Sequence, residues 1–249
     1  EAMWQRFSQD PIASLPLSQA TNIALDQFKS RYDGLGWASV QTFDQHVTKG
    51  CFPLHPITTA LLCSMEFQQA VTTAGAPRTI LGFILQELEQ RQSLLAIIGK
   101  RINWVLPISL VDYFKNNLRS DRFHTFQLAV EHLKDDEKST FSLDEQKDVL
   151  KALLLQDVAK LRARDEDQIE LIATMVGLPP SETEKCLKFL SKEKIIGWNQ
   201  DGRKSYSFWS SNVNPYKLDQ IVDKKLHKVS LLWTDLKKFS IDELKMTPV

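Results

Sequence analysis

The sequence predicts a mainly helical protein with one small β-hairpin in its last third. Apolar residues recur at helical spacing along most of the chain, capping residues precede several of these runs, and an Asp-Gly turn lies between two β-prone runs. The 249 residues, 43% of them hydrophobic, suffice for one sizeable core or for two or three small domains. We expect a helical bundle over residues 1–135, a second domain over residues 141–212 and a helical segment over residues 213–249.

The first half contains apolar runs that predict helices. They cover residues 16–32, Ile57 to Phe67 and Ile80 to Leu88, and turn-forming glycine and proline residues lie between them. Ser109 precedes another run and has Asp112 three residues after it, which is the spacing of an N-cap with an acidic first turn. These elements together predict the helical bundle.

The second half opens with a polar and charged segment, residues 134–140, which we interpret as a boundary between modules. Ser142 and Glu145 then form a capping-box pattern at the start of a long apolar helical run. This pattern predicts that a new folding unit begins with a helix at about residue 142.

Two further helices are predicted after this one. The first runs from Asp165 to Val176 and ends at Gly177. Residues 179–184 supply a turn and a second capping-box pattern, in which Ser181 is the expected N-cap of the next helix. The second half is therefore predicted to contain three consecutive helices.

A β-hairpin is predicted directly after the third helix. The β-prone runs 195–199 and 204–209 flank the turn residues 200–203, which include Asp-Gly. Three helices followed by a hairpin predict a winged-helix domain. The hairpin is rich in aromatic side chains, which either stack on bases or pack onto the helices, and packing in the core is the favoured interpretation. These aromatic residues are Trp198, Tyr206, Phe208 and Trp209.

Composition limits the classes of partner. The formal net charge is +0, so no overall electrostatic attraction to nucleic acid or anionic membrane is expected. No apolar run approaches the length of a membrane span and the first residues do not resemble a signal peptide, so we expect a cytoplasmic protein without a membrane partner. Cys51, Cys63 and Cys186 are far apart and odd in number, which indicates buried, reduced thiols rather than disulfides or a zinc site.

The sequence lacks the patterns of several enzyme classes. It has no phosphate-binding loop of the form Gly-x-x-x-x-Gly-Lys-Ser/Thr, no Gly-x-Ser-x-Gly elbow and no histidine spacing typical of zinc. Asp165, Glu166 and Asp167 fit the acidic first turn of a helix better than paired acid-base catalysts. His55 is interpreted as a hydrogen-bonded structural histidine. We therefore expect no ATP hydrolysis by this chain alone.

One local surface is basic, on the third helix of the predicted winged helix and on its hairpin. The candidate nucleic-acid-binding residues are Lys185, Lys188, Lys192, Arg203 and Lys204. Cations at these places fit a recognition helix and wing that dock on DNA phosphates. The alternative is an ordinary solvated face, because Glu182, Glu184 and Glu193 lie on or beside the same helix and repel phosphates.

Arg78 is the candidate nucleotide-binding residue. It follows the turn Gly75-Ala76-Pro77 and precedes the apolar run that starts at Ile80. Because proline suits the first position of a helix, Arg78 is expected at a helix start. Its planar guanidinium donates paired, charge-assisted hydrogen bonds that suit phosphate oxygens. The alternative is that Arg78 caps its helix or forms a salt bridge there.

Three segments together resemble one family. Residues 51–62 contain Pro-Leu-His-Pro, residues 78–84 contain Arg-Thr-Ile, and residues 110–114 contain Asp-Tyr-Phe. In this order they resemble the region after the nucleotide-binding core in large bacterial P-loop ATPases of phage-defence systems, of the BREX and DNA-phosphorothioation types. The resemblance extends over roughly residues 50–215. The family has Gln-Asn-Glu before the arginine, whereas residues 75–77 here are Gly-Ala-Pro, as in generic AAA+ lids.

The resemblance implies an AAA+ or STAND-like lid followed by a winged helix. Arg78 is then a sensor-2 arginine for the γ-phosphate of ATP, which is held with Mg²⁺ by an ATPase core of the same polypeptide that this chain lacks. The chain is expected to be a non-catalytic, C-terminal regulatory fragment of an ATPase in a DNA-related process. Its winged helix is expected to contact DNA or a partner protein. The alternative is a free-standing winged-helix DNA-binding or replication-initiator-type protein with a helical dimerisation or partner domain.

Overall fold

The computed structural model describes part of the chain in twelve ranges. They are residues 21–22, 24–26, 39–64, 80–90, 97–98, 101–116, 118, 121–133, 140–161, 165–199, 205–209 and 224–226. The chain divides into two compact units, Glu1–Phe208 and Trp209–Val249. Residues 224–226, in the second unit, are helical. The predicted module boundary at residues 134–140 and the helix predicted over residues 213–249 lie largely outside the described ranges and stay predictions.

The described residues are mainly helical, as predicted. The helices, numbered from Val40, are α1 (Val40–Phe43, continued as a π-helix over Asp44–Lys49), α2 (Pro56–Cys63), α3 (Ile80–Gln90), α4 (Ser109–Phe114), α5 (Asp121–Glu131), α6 (Leu143–Val158), α7 (Asp165–Val176) and α8 (Pro180–Lys192). Residues 21–22 and 24–26 are also helical and lie within the first predicted helix. The predicted helix from Ile57 to Phe67 is shorter, because Ser64 is extended and ends α2 at Cys63.

Two antiparallel strand pairs are present among the described residues. Strands β1 (Ile97–Ile98) and β2 (Arg101–Ile102) form a short pair that the sequence did not predict. Strands β3 (Gly197–Asn199) and β4 (Ser205–Ser207) form the predicted hairpin, with Trp198 opposite Tyr206. The hairpin therefore follows α8 directly, and its register places these two aromatic side chains side by side.

Two helix ends follow the predicted capping chemistry. The Ser142 side chain accepts from the Glu145 backbone N–H, and the Glu145 carboxylate accepts from the Ser142 backbone N–H at 2.8 Å, so the capping box is confirmed. Gly177 ends α7 with a φ of 77°, and the next N–H donates to the carbonyl of Ala173. This left-handed position suits glycine and turns the chain toward α8.

Two predicted N-caps are wrong. Ser109 is the first residue inside α4, because a turn at Leu106 and Pro107 already accepts the backbone N–H groups of Ser109 and Leu110. Ser181 lies inside α8, because Pro180 occupies the first helical position and Pro179 is the cap residue. In both cases the residues around a preceding proline supply the start of the helix, so the serine is not the cap.

One hydrophobic cluster joins helices from both halves of the sequence. Phe83 of α3 and Leu110 of α4 belong to the same buried cluster as Leu150 of α6 and Ile172 of α7. Helix α5 packs on α6, and α6 packs on α7 and α8. The helical region before residue 134 and the three-helix region after residue 140 therefore share a core.

An ion pair also connects the two regions. The Lys151 ammonium of α6 lies 2.8 Å from the Asp112 carboxylate of α4 and 3.0 Å from Asp148. Burial alone lowers the pKa of Lys151, but its hydrogen bonds to Asp112 and Asp148 and their charges outweigh this effect and raise it. Lys151 therefore stays charged and holds α4 against α6.

Candidate nucleic-acid interface

Helix α8 has one buried side. Thr183, Cys186, Leu187 and Leu190 are fully buried, and they recur every three or four residues along the helix. Burial raises the pKa of the Cys186 thiol to about 12, so this thiol is protonated and acts as a small apolar side chain. This side fixes α8 on α6 and α7.

The opposite side of α8 is exposed and basic. Lys185, Lys188 and Lys192 are exposed, and their positions span about 60° of the helix circumference at 3.6 residues per turn. They lie roughly 170° from the middle of the buried side by the same geometry. We call these three residues the lysine row. The structure thus brings three of the five predicted nucleic-acid-binding residues together on one exposed face.

One member of the lysine row has an acidic partner on the same helix. The Lys188 ammonium lies 2.6 Å from the Glu184 carboxylate, one turn earlier. This hydrogen bond and the charge of Glu184 raise the pKa of Lys188. Lys185 and Lys192 flank Lys188 on either side along the helix. A polyanion that approaches the row therefore meets two outer lysines and a central lysine that forms an ion pair with Glu184.

A buried amide holds the hairpin against the helices. The Gln168 side chain of α7 forms two hydrogen bonds with the backbone of Tyr206: its oxygen accepts from the Tyr206 N–H at 2.8 Å, and its nitrogen donates to the Tyr206 carbonyl at 2.8 Å. The same nitrogen donates to the Gln156 side-chain oxygen of α6 at 2.9 Å. Gln168 thus pairs with β4 as a neighbouring strand does, and it sets the hairpin beside α7.

The aromatic residues of the hairpin lie in different environments. Tyr206 and Phe208 are buried, which confirms the predicted core packing for these two residues. Trp198 is 37% exposed, so the prediction that it packs in the core is wrong. Cross-strand pairing explains the difference, because Trp198 rests on Tyr206 with ring centroids 4.5 Å apart while Tyr206 occupies the space next to the core.

Three of the predicted site residues lie outside the described ranges. These residues are Arg78, Arg203 and Lys204. Helix α3 begins at Ile80, which agrees with the predicted apolar helix after Arg78. Arg78 as a nucleotide contact and the two hairpin cations as DNA contacts therefore stay predictions.

His55 is a structural residue, as predicted. It is buried, and its Nδ1 accepts a hydrogen bond from the Ile57 backbone N–H at 3.1 Å, which caps α2. Burial lowers its pKa from 6.5 to about 3, so the ring is neutral. Trp104 packs edge-on against it at 5.4 Å between ring centroids. The Pro-Leu-His-Pro segment therefore contains a helix cap in the core.

Sequence reasoning missed Gln168. No sequence pattern separates a glutamine that binds a distant backbone from one that faces solvent. The clue in retrospect is its place on the apolar side of α7, four residues before the buried Ile172. A polar residue at such a position needs a partner in the core.

No protein-family model, curated protein or solved structure matches this chain. Among the described helices, none combines the length and the apolar character needed to span a bilayer. The site is therefore interpreted from its own residues.

Proposed function

We propose that this chain is a DNA-contacting regulatory part of a P-loop ATPase, and that the lysine row of α8 is its contact with DNA. The observation that carries the proposal is the exposed row Lys185, Lys188 and Lys192 on the face of α8 opposite its buried side. Lysines on an exposed helix face bind phosphates and release counterions, which drives binding even for a protein of zero net charge. The row is the local surface through which such a protein approaches DNA.

The order of elements supports a winged-helix docking geometry. Helices α6, α7 and α8 are followed by the hairpin of β3 and β4, as in winged helices, where the third helix meets DNA and the hairpin lies beside it. Gln168 fixes the hairpin relative to α7 through Tyr206. Helix and hairpin therefore have a defined relation, which is what a surface that binds a duplex requires.

Charge reversal in the lysine row tests the DNA contact. Lys185→Glu and Lys192→Glu together are expected to weaken binding to a fluorescein-labelled duplex by at least tenfold. The variant is expected to lose about two phosphate contacts. Each contact contributes about −0.9 to the slope of log K against log salt, so this slope is expected to become shallower. Fluorescence anisotropy at several salt concentrations measures both quantities.

Two further variants sharpen this test. Lys115→Glu makes one such Lys→Glu substitution at an exposed position just after α4 and is expected to alter affinity less than twofold. Glu184→Gln removes the carboxylate that pairs with Lys188 and is expected to increase affinity. Equal losses for the row variants and for Lys115→Glu contradict a DNA contact at α8 and favour a partner protein at this surface.

Substitution of Arg78 tests the proposed contact with ATP. The resemblance to phage-defence ATPases supports a γ-phosphate contact by this residue, and loss of a charge-assisted hydrogen bond costs about 1.5–3 kcal/mol. Arg78→Ala is therefore expected to lower ATP turnover about tenfold or more in the P-loop ATPase that contains this segment. Circular dichroism checks that the variant folds. Unchanged turnover makes Arg78 structural and favours the free-standing DNA-binding protein.

A further inference from the structure

The helices α6, α7 and α8 end in the same kind of turn. Each is followed within two residues by one left-handed residue: Lys160 with a φ of 52°, Gly177 with 77° and Lys194 with 60°. In each turn the backbone N–H of the next residue donates to the carbonyl five residues earlier, at 2.9, 3.1 and 2.9 Å respectively. This hydrogen bond satisfies a carbonyl of the last helical turn, and the left-handed residue makes it possible. The three turns therefore place the same demand on the backbone.

Glycine meets this demand at the lowest cost. In the left-handed region a Cβ atom lies too close to the following carbonyl oxygen, and glycine has no Cβ. The chain has a glycine after α7 but a lysine after α8. Lys194 is held in this conformation because the next two residues, Ile195 and Ile196, are buried in the core. A lysine here costs stability that a glycine would preserve, as strained residues at functional sites do.

Lys194 continues the lysine row. It is exposed and lies two residues after Lys192, so the two Cα atoms are at most about 7.6 Å apart. The Cα atoms of the row itself extend about 10 Å along α8, at about 1.5 Å per residue. A duplex carries one phosphate per about 3.4 Å of each strand, so a strand on the row has further phosphates beyond its end. Lys194 supplies a cation at that end.

We propose that Lys194 contacts a DNA phosphate next to those bound by the lysine row, and that this contact is why a lysine occupies the strained position. The inference rests on the proposed DNA contact of α8 and adds a fourth cation to it. Phosphates carry no sequence information, so the contact raises affinity for any duplex sequence. Stability and DNA affinity are therefore expected to change in opposite directions when glycine replaces this lysine.

Two substitutions of Lys194 separate its charge from its strain. Lys194→Gly removes both, so it is expected to raise the Tm by about 2–4 °C and to weaken binding to the fluorescein-labelled duplex about fivefold at about 0.15 M salt. Fivefold is what one contact with a slope of about −0.9 gains between about 1 M and 0.15 M salt. Lys194→Gln removes the charge but keeps the Cβ, so it is expected to weaken binding equally without raising the Tm.

Lys160→Gly is the matched control. It makes the same exchange at an exposed lysine in the same kind of turn, but after α6 instead of α8. Both lysines lie at a helix C-terminus, where the macrodipole favours a cation, so this effect is equal in the two variants. Lys160→Gly is expected to raise the Tm as Lys194→Gly does and to change duplex affinity less than twofold.

The outcomes separate this inference from the proposed function. Full duplex affinity in Lys194→Gln, or equal losses of affinity in Lys160→Gly and Lys194→Gly, overturns the contact at Lys194. The DNA contact of the row still stands in that case if Lys185→Glu with Lys192→Glu weakens binding. A Tm that falls in Lys194→Gly makes the lysine structural and also overturns the inference. Absence of duplex binding by the native protein overturns both proposals.

Discussion

Replacement of Gln168 by leucine is expected to lower the free energy of unfolding by about 3 kcal/mol. The leucine has similar volume but leaves the Tyr206 N–H and carbonyl without the partners that lie 2.8 Å away in the native protein. Each buried backbone group that loses its hydrogen bond costs about 1–3 kcal/mol, because water does not reach it. The Gln156 side-chain oxygen loses its donor in the same variant. Urea unfolding followed by circular dichroism measures the change.

A matched control is available on α5. Gln127 is exposed, so Gln127→Leu makes the same chemical change and is expected to alter stability by about 0.5 kcal/mol or less. Amide hydrogen exchange gives a local readout, since the Tyr206 N–H is expected to lose protection in Gln168→Leu before other core amides do. The interpretation of Gln168 as the hairpin anchor is contradicted if both variants are equally stable and Tyr206 keeps its protection.

Acidification is expected to destabilise the protein through His55. Its pKa is lowered from 6.5 to about 3 by burial, so between these pH values the unfolded chain binds a proton that the folded chain does not. The stability contributed by neutral His55 is fully present above pH 6.5 and is lost as pH falls from there toward 3. From pH 7.5 to pH 5 this linkage alone costs about 2 kcal/mol.

The pH dependence is measurable in a pair of variants. His55→Asn keeps a side-chain acceptor for the first turn of α2 and does not titrate. The slope of its free energy of unfolding against pH is therefore expected to be smaller by the equivalent of about one proton taken up on unfolding. His124→Asn makes the same substitution at an exposed histidine and serves as the matched control. If His55→Asn folds poorly, an NMR titration of the native chain takes its place. A His55 signal that titrates near pH 6.5 contradicts the buried neutral state.

Much of the helical framework could be predicted because its signals are local. The capping box at Ser142 and the glycine that ends α7 act within one turn of chain, and the structure confirms both. The N-caps predicted at Ser109 and Ser181 were wrong because prolines one or two residues earlier compete for the same turn. In this chain the capping box at Ser142, which has no proline just before it, is confirmed, whereas the two serines that follow a proline are not caps.

The burial of individual side chains was harder to predict, because it depends on distant contacts. The apolar run of α3 is helical as predicted, yet Leu81 is 71% exposed while Phe83 is fully buried. Trp198 and Tyr206 are both β-prone aromatic residues that the strand register places side by side, yet Tyr206 is buried and Trp198 is exposed. The lysine row could be predicted, since exposed residues on one helix face follow from spacing alone.

Phe126 of α5 meets Phe208 edge to face, with ring centroids 6.3 Å apart. Through this contact the residue after the hairpin is anchored on a helix from the other half of the sequence. Small displacements of the hairpin are therefore resisted by two independent supports, a polar one at Gln168 and an aromatic one at Phe126. Both supports lead to α6, because α5 packs against this helix and the Gln168 side chain donates to Gln156 on it.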